Sequence, residues 1–82
     1  MTNTHTYAAV TRDGRKFVED QLQRARRRPT EADALFLPNG HYEVHTANGP
    51  IKIEAPAWVI YDVEGFPYPV TVDVFEQTWS LE

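Results

Sequence analysis

Residues 58–79 read WVIYDVEGFPYPVTVDVFEQTW, and this stretch decides what the chain can fold into. Both tryptophans of the protein lie in it. Trp58 and Ile60 occupy one parity of an extended chain, and Val59, Tyr61 and Val63 occupy the other. A strand that is apolar on both faces belongs in the interior of a sheet. Glu64-Gly65 then turns the chain, and residues 66–70 return. Pro67 and Pro69 lack N–H groups on the same side of that return, which assigns it to a sheet edge or an irregular segment. Residues 72–76, with Asp73 near their start, read as one helical turn, and residues 77–79 as a last short strand.

The residues before Trp58 prepare a sheet for it. Asn48-Gly49 is a hairpin signal between two alternating runs. In residues 41–46, Tyr42 and Val44 point one way while His41, Glu43 and His45 point the other. Ile51 and Ile53 alternate in the same manner with Lys52 and Glu54. Leu35-Phe36-Leu37 is a short apolar strand closed by the turn Pro38-Asn39-Gly40. Residues 30–33 read as a polar connector, and residues 5–10 as a first strand. Between these, Thr11-Arg12-Asp13-Gly14 opens either a hairpin or a helix over residues 15–28. The helix is preferred. Val18, Leu22 and Ala25 fall at i, i+4 and i+7, acids come early and arginines late along the dipole, and Pro29 stops the run. The expected fold is α+β: a four- to five-stranded antiparallel, strongly curled sheet with one N-terminal helix packed on one face.

Eighty-two residues make one domain, 1–82, with no room for a second core. There is no cysteine to staple so small a core, but two tryptophans, four tyrosines and four phenylalanines supply large buried areas. No apolar run has membrane-spanning length, and MTNTHTY lacks the pattern of a secretory signal, so a cytoplasmic setting is expected. Leu81-Glu82 resembles a vector-derived extension and is given no weight. The net charge of −4 is unevenly spread. Residues 1–28 carry a net charge of +4 and residues 29–82 a net charge of −8, which makes a polar molecule with an acidic body.

Four groups of residues could carry chemistry or meet a partner. His41, Glu43 and His45 share a strand face and have ligand types that zinc accepts. On a flat strand, however, His41 and His45 lie roughly 13 Å apart at the backbone, too far to share one ion easily. A solvated polar face is the simpler reading, and no cofactor is expected. Arg24, Arg26, Arg27 and Arg28 form a basic patch that phosphates could use, but the acidic body beside it repels a duplex. The acidic residues could instead imitate nucleic acid, although carboxylates spread over loops and strand faces serve first for solubility. Tyr61, Asp62, Glu64, Phe66 and Tyr68, joined by Glu43, combine aromatic area with carboxylates at a proline-bearing edge, as a protein-binding surface would. A homodimer is the other partner class considered. No nucleophile with a base and an orienting third group is in view, which argues against an enzyme.

Residues 55–80 resemble the C-terminal segment of many small proteins of tailed phages and prophages, PGDWIIKGVKGEFYPCKPDIFEKTYE. Laid ungapped, the two share Trp58, Ile60, Val63, Gly65, Tyr68, Pro69, Asp73, Phe75, Glu76 and Thr78, and Thr46-Ala47-Asn48-Gly49 is similar to that family's T-x-x-G turn. The Pro-Gly-Asp turn is replaced by Ala55-Pro56-Ala57, Lys-Gly by Tyr61-Asp62, and an acidic-aromatic pair by Phe66-Pro67. The shared positions build a fold, and the differing ones lie where a partner would be read. The resemblance implies a phage origin and a common small sheet, with no activity to carry over. The expected function is therefore a non-enzymatic phage accessory protein that binds and modulates or inhibits a host protein, as inhibitors of bacterial defence systems do. The alternative is a small metal- or ligand-binding module on the His41/Glu43/His45 face.

Overall fold

The computed structural model describes residues 7–27 and 30–81. In chain order these form β1 (Ala8–Val10), two short 3-10 segments (Asp13–Phe17 and Glu19–Gln21), β2 (Leu22–Arg27), β3 (Thr30–Leu37) and β4 (His41–Thr46). After them come β5 (Gly49–Glu54), β6 (Ala57–Tyr61), β7 (Pro67–Val70), α1 (Val72–Thr78) and β8 (Ser80–Leu81). The class is α+β, but the strands make two sheets rather than one curled sheet. One has the order β1-β4-β5 and the other β7-β6-β3-β2-β8. The pair β1–β4 is parallel, and the remaining pairs are antiparallel.

The larger correction concerns residues 15–28. The expected helix is replaced by two 3-10 turns and a strand, β2, paired with β3 from Leu22↔Leu35 to Arg27↔Thr30. The polar connector at residues 30–33 is the first half of β3. The amphipathic stripe is dismantled accordingly. Val18 and Leu22 pack into one core cluster, and Ala25 is fully buried in the other, across the sheet. Arg28 and Pro29, the last basic residue and the expected helix stop, lie outside the described residues, as do residues 5 and 6 of the expected first strand.

Strand parity divides the core. On one face of the five-stranded sheet, Ala25, Ala32, Ala34, Trp58 and Ile60 meet Phe75 and Trp79, which arrive from α1 and its end. On the other face, Leu35, Leu37, Val59 and Tyr61 meet Val10 and Val44 of the three-stranded sheet. The five-stranded sheet is therefore the middle of three layers. As a result all five residues of β6 are buried, as expected of an interior strand, and β7 with its two prolines is an edge strand.

The C-terminal segment differs in detail from expectation. The helix runs on to Thr78, and Thr71, not Asp73, caps it by accepting from the Val74 N–H at 3.2 Å. Trp79 ends the helix, and the last strand is Ser80–Leu81, where Leu81 pairs with Ala25. Leu81, discounted in the sequence, is thus part of the sheet. No helix among the described residues is long and apolar enough to cross a membrane.

Candidate functional site

The β6–β7 hairpin ends in a turn at residues 62–66 that is fastened from inside. The Asp62 N–H donates to the Phe66 carbonyl at 3.0 Å, and the Gly65 N–H donates to the Asp62 carbonyl at 2.9 Å. The Asp62 carboxylate Oδ1 accepts from the backbone N–H groups of Glu64 and Phe66, each at 2.9 Å. An Asp at this position closes a turn by satisfying amides that the hairpin leaves open. Gly65 has φ +92°, a conformation that calls for glycine, and a Cβ there would lie 3.3 Å from the Arg12 side chain, which would have to shift slightly. The Arg12 guanidinium in turn sits 4.7 Å from the centre of the Phe66 ring. At the tip Val63 is 93% exposed, with Glu64 exposed beside it.

A cleft of about 280 Å³ opens next to this turn, lined by Arg15, Arg24, Glu31, Asp33, Tyr61 and Asp62. Asp33 is its electrostatic centre. It is ion-paired with Arg15 and, at 3.2 Å, with Arg24 across the β2–β3 ladder. Arg26 pairs with Glu31 one step further along, at 3.4 Å. Each of these pairs is partly exposed and contributes roughly 0–1 kcal/mol. They agree with the register of β2 against β3 and set the polarity of the cleft wall.

The structure gathers Asp62, Glu64 and Phe66 in one turn, but not the other residues expected to join them. Tyr61 is 3% exposed and packs in the core between the sheets, so its ring is not offered to a partner. Tyr68 lies on the opposite face of the five-stranded sheet, in a groove of about 440 Å³ with Arg27, Val70, Thr71, Val74 and Trp79. Glu43 is on the other sheet altogether. Asp62 is engaged by the amides of its own turn. Val63 escapes sequence reasoning because a valine in strand parity looks like core. Its position one residue before Glu64-Gly65 is the signal that it falls in the turn.

Burial pushes the Tyr61 phenol above its usual value of 10.0, with the Arg15 guanidinium partly opposing the shift. Burial raises Tyr68 as well, opposed by Arg27 and reinforced by Asp62. The fold thus favours the neutral phenols. Their contribution is complete below the unfolded value near pH 10 and is lost as pH climbs through the higher folded value. The urea midpoint is expected to fall above about pH 10, and Tyr61→Phe should fall less steeply. Equal alkaline losses in both proteins would refute the assignment to Tyr61.

Among the described residues the arginines of the expected basic patch are divided between two faces. Arg24 and Arg26 share a face and are paired with acids, Arg27 points to the opposite face, and Arg28 lies outside the described residues. The His41/Glu43/His45 face is present on β4 but is divided. His45 Nε2 is 2.9 Å from Glu43 Oε1, whereas His41 Nε2 is 3.8 Å from Glu54 Oε2 and its ring packs edge-on against Tyr7. Among the described residues no three His, Cys, Asp or Glu side chains are placed to hold one metal ion.

Comparison with known proteins found no matching family model, no matching curated protein and no matching solved structure.

Proposed function

We propose that this protein is a non-enzymatic accessory protein of phage type that binds and modulates a host protein, through the turn at residues 62–66 and the charged cleft beside it. One observation carries the reading: Val63 stands 93% exposed at the tip of a turn fastened by the Asp62 carboxylate and backbone. A large apolar side chain held rigidly in water gains by desolvation on contact and loses little conformational freedom in doing so. Glu64 and the Asp33–Arg15–Arg24 group beside it supply the polar rim that such an anchor needs. The acidic net charge of −4 favours a basic partner surface. The likeness of residues 55–80 to small phage proteins supports the phage setting, and inhibition of a bacterial defence protein is the role this reading names.

The charge component is tested by affinity capture from bacterial lysate, read by mass spectrometry, with wild type and Glu64→Lys side by side. The exposed substitution should change stability by no more than about 0.5 kcal/mol. The expected result is a host protein retained by wild type and depleted several-fold with the variant. Equal retention by both would remove the turn's carboxylate from the contact.

A further inference from the structure

We infer that β5 is the surface through which two copies of this chain associate, antiparallel about a two-fold axis at Ile53. Among the described residues the sheet order β1-β4-β5 leaves one side of β5 without a strand neighbour. It is the longest such edge among the described residues. β7 has four residues including Pro67 and Pro69, β1 has three and β8 two, against six in Gly49–Glu54.

The ladder fixes which backbone groups face outward. Residues alternate between bonding to the neighbouring strand and pointing away from it. The Ala55 N–H donates to the Gly40 carbonyl at 2.9 Å, one step beyond the pair His41↔Glu54. Gly49, Ile51 and Ile53 therefore bond to β4, and Pro50, Lys52 and Glu54 face outward. Pro50 agrees with this parity, since its missing N–H falls on the open side. The edge presents just two outward donors, the N–H groups of Lys52 and Glu54, with Pro50 before them and the strand's end after Glu54.

A second copy centred on Ile53 fits that window. Lys52 of each copy then lies opposite Glu54 of the other, as a hydrogen-bonded pair, and two such pairs satisfy all four outward N–H groups. The side chains match as well: Lys52 meets Glu54 on the outer face, where the Glu54 side chain is 75% exposed. On the inner face Ile53 meets Ile53, and Ile51, 45% exposed in the single chain, meets Ala55. A register centred on Lys52 would satisfy the same four N–H groups, with Glu54 donating to the Pro50 carbonyl, but would set Lys52 directly opposite Lys52. Opposite charges directly across a ladder stabilise it and like charges weaken it. The product is a continuous six-stranded sheet, β1-β4-β5 joined to its copy.

Sedimentation equilibrium over a range of concentrations tests this with four proteins. Wild type should approach twice the chain mass of 9.4 kDa at high concentration. Lys52→Glu should weaken association by about tenfold or more, because it sets like charges across the interface. Lys52→Glu combined with Glu54→Lys should restore it to within about threefold, since the complementarity is merely exchanged. Lys52→Pro should abolish association by deleting an outward donor while leaving the β4 ladder intact, with circular dichroism confirming the fold. A wild type that stays monomeric, a dimer indifferent to Lys52→Pro, or a double exchange no better than Lys52→Glu would each overturn the inference.

Discussion

Phe75→Ala is expected to destabilise the fold by about 3–5 kcal/mol, the range for truncating a buried aromatic. Phe75 is 3% exposed and stacks on Trp58 at 4.1 Å with an interplanar angle of 9°. Trp79 lies beyond it at 6.4 Å and 10°, so the three rings form a column from β6 to the end of α1. A helix of seven residues has no stability of its own and is held by that column. Its loss would also free β8, the next element along the chain. A domain of this size has on the order of 5–10 kcal/mol in total, so the variant should be largely unfolded or close to it. Urea denaturation decides the matter, and a loss under about 1 kcal/mol would show that α1 is not held through Phe75.

Ala34→Leu is expected to cost about 1–3 kcal/mol for the opposite reason, overpacking. Ala25, Ala32 and Ala34 form a floor of small side chains on the α1 face, and Ala25 and Ala34 are wholly buried. That floor leaves room for Trp58, Phe75 and Trp79 to lie across the sheet. Three extra carbons at position 34 would push against rings that are already stacked. Thermal unfolding should show a Tm lowered by several degrees, and an unchanged Tm would mean that the layer has slack.

Most of the chain beyond Leu35 is legible in the sequence, because its pattern is local. The β6 run is apolar on both parities, β4 alternates cleanly, and paired prolines mark β7 as an edge. Residues 15–33 are where sequence reasoning fails. Val18, Leu22 and Ala25 match a helical stripe by coincidence of spacing, and alanines and arginines favour a helix intrinsically. Tertiary pairing overrides that preference. The telling signal is a mirror pattern about residues 28 and 29, in which Glu31 and Asp33 answer Arg26 and Arg24, and Ala32 and Leu35 match Ala25 and Leu22. The two-sheet arrangement is not legible, because no local pattern states which strand pairs remain apart. Of the candidate site, Glu64-Gly65 is legible as a turn and Asp62 as a surface carboxylate, but the role of Asp62 in closing the turn onto Phe66 is not, because its strand parity with Glu64 hides it. Tyr61 is misassigned because an aromatic of strand parity reads alike whether it faces a partner or a second sheet.

The most direct test of the binding account is quantitative capture from host lysate by wild type and Val63→Asp in parallel, with the urea midpoint of each measured beforehand. Substitution of so exposed a residue should leave stability within about 0.5 kcal/mol. The account predicts one host protein held at near-stoichiometric yield by wild type and reduced at least about tenfold by the variant, since the apolar anchor is replaced by a charge. The same protein captured equally by both, or nothing captured by wild type, would contradict it.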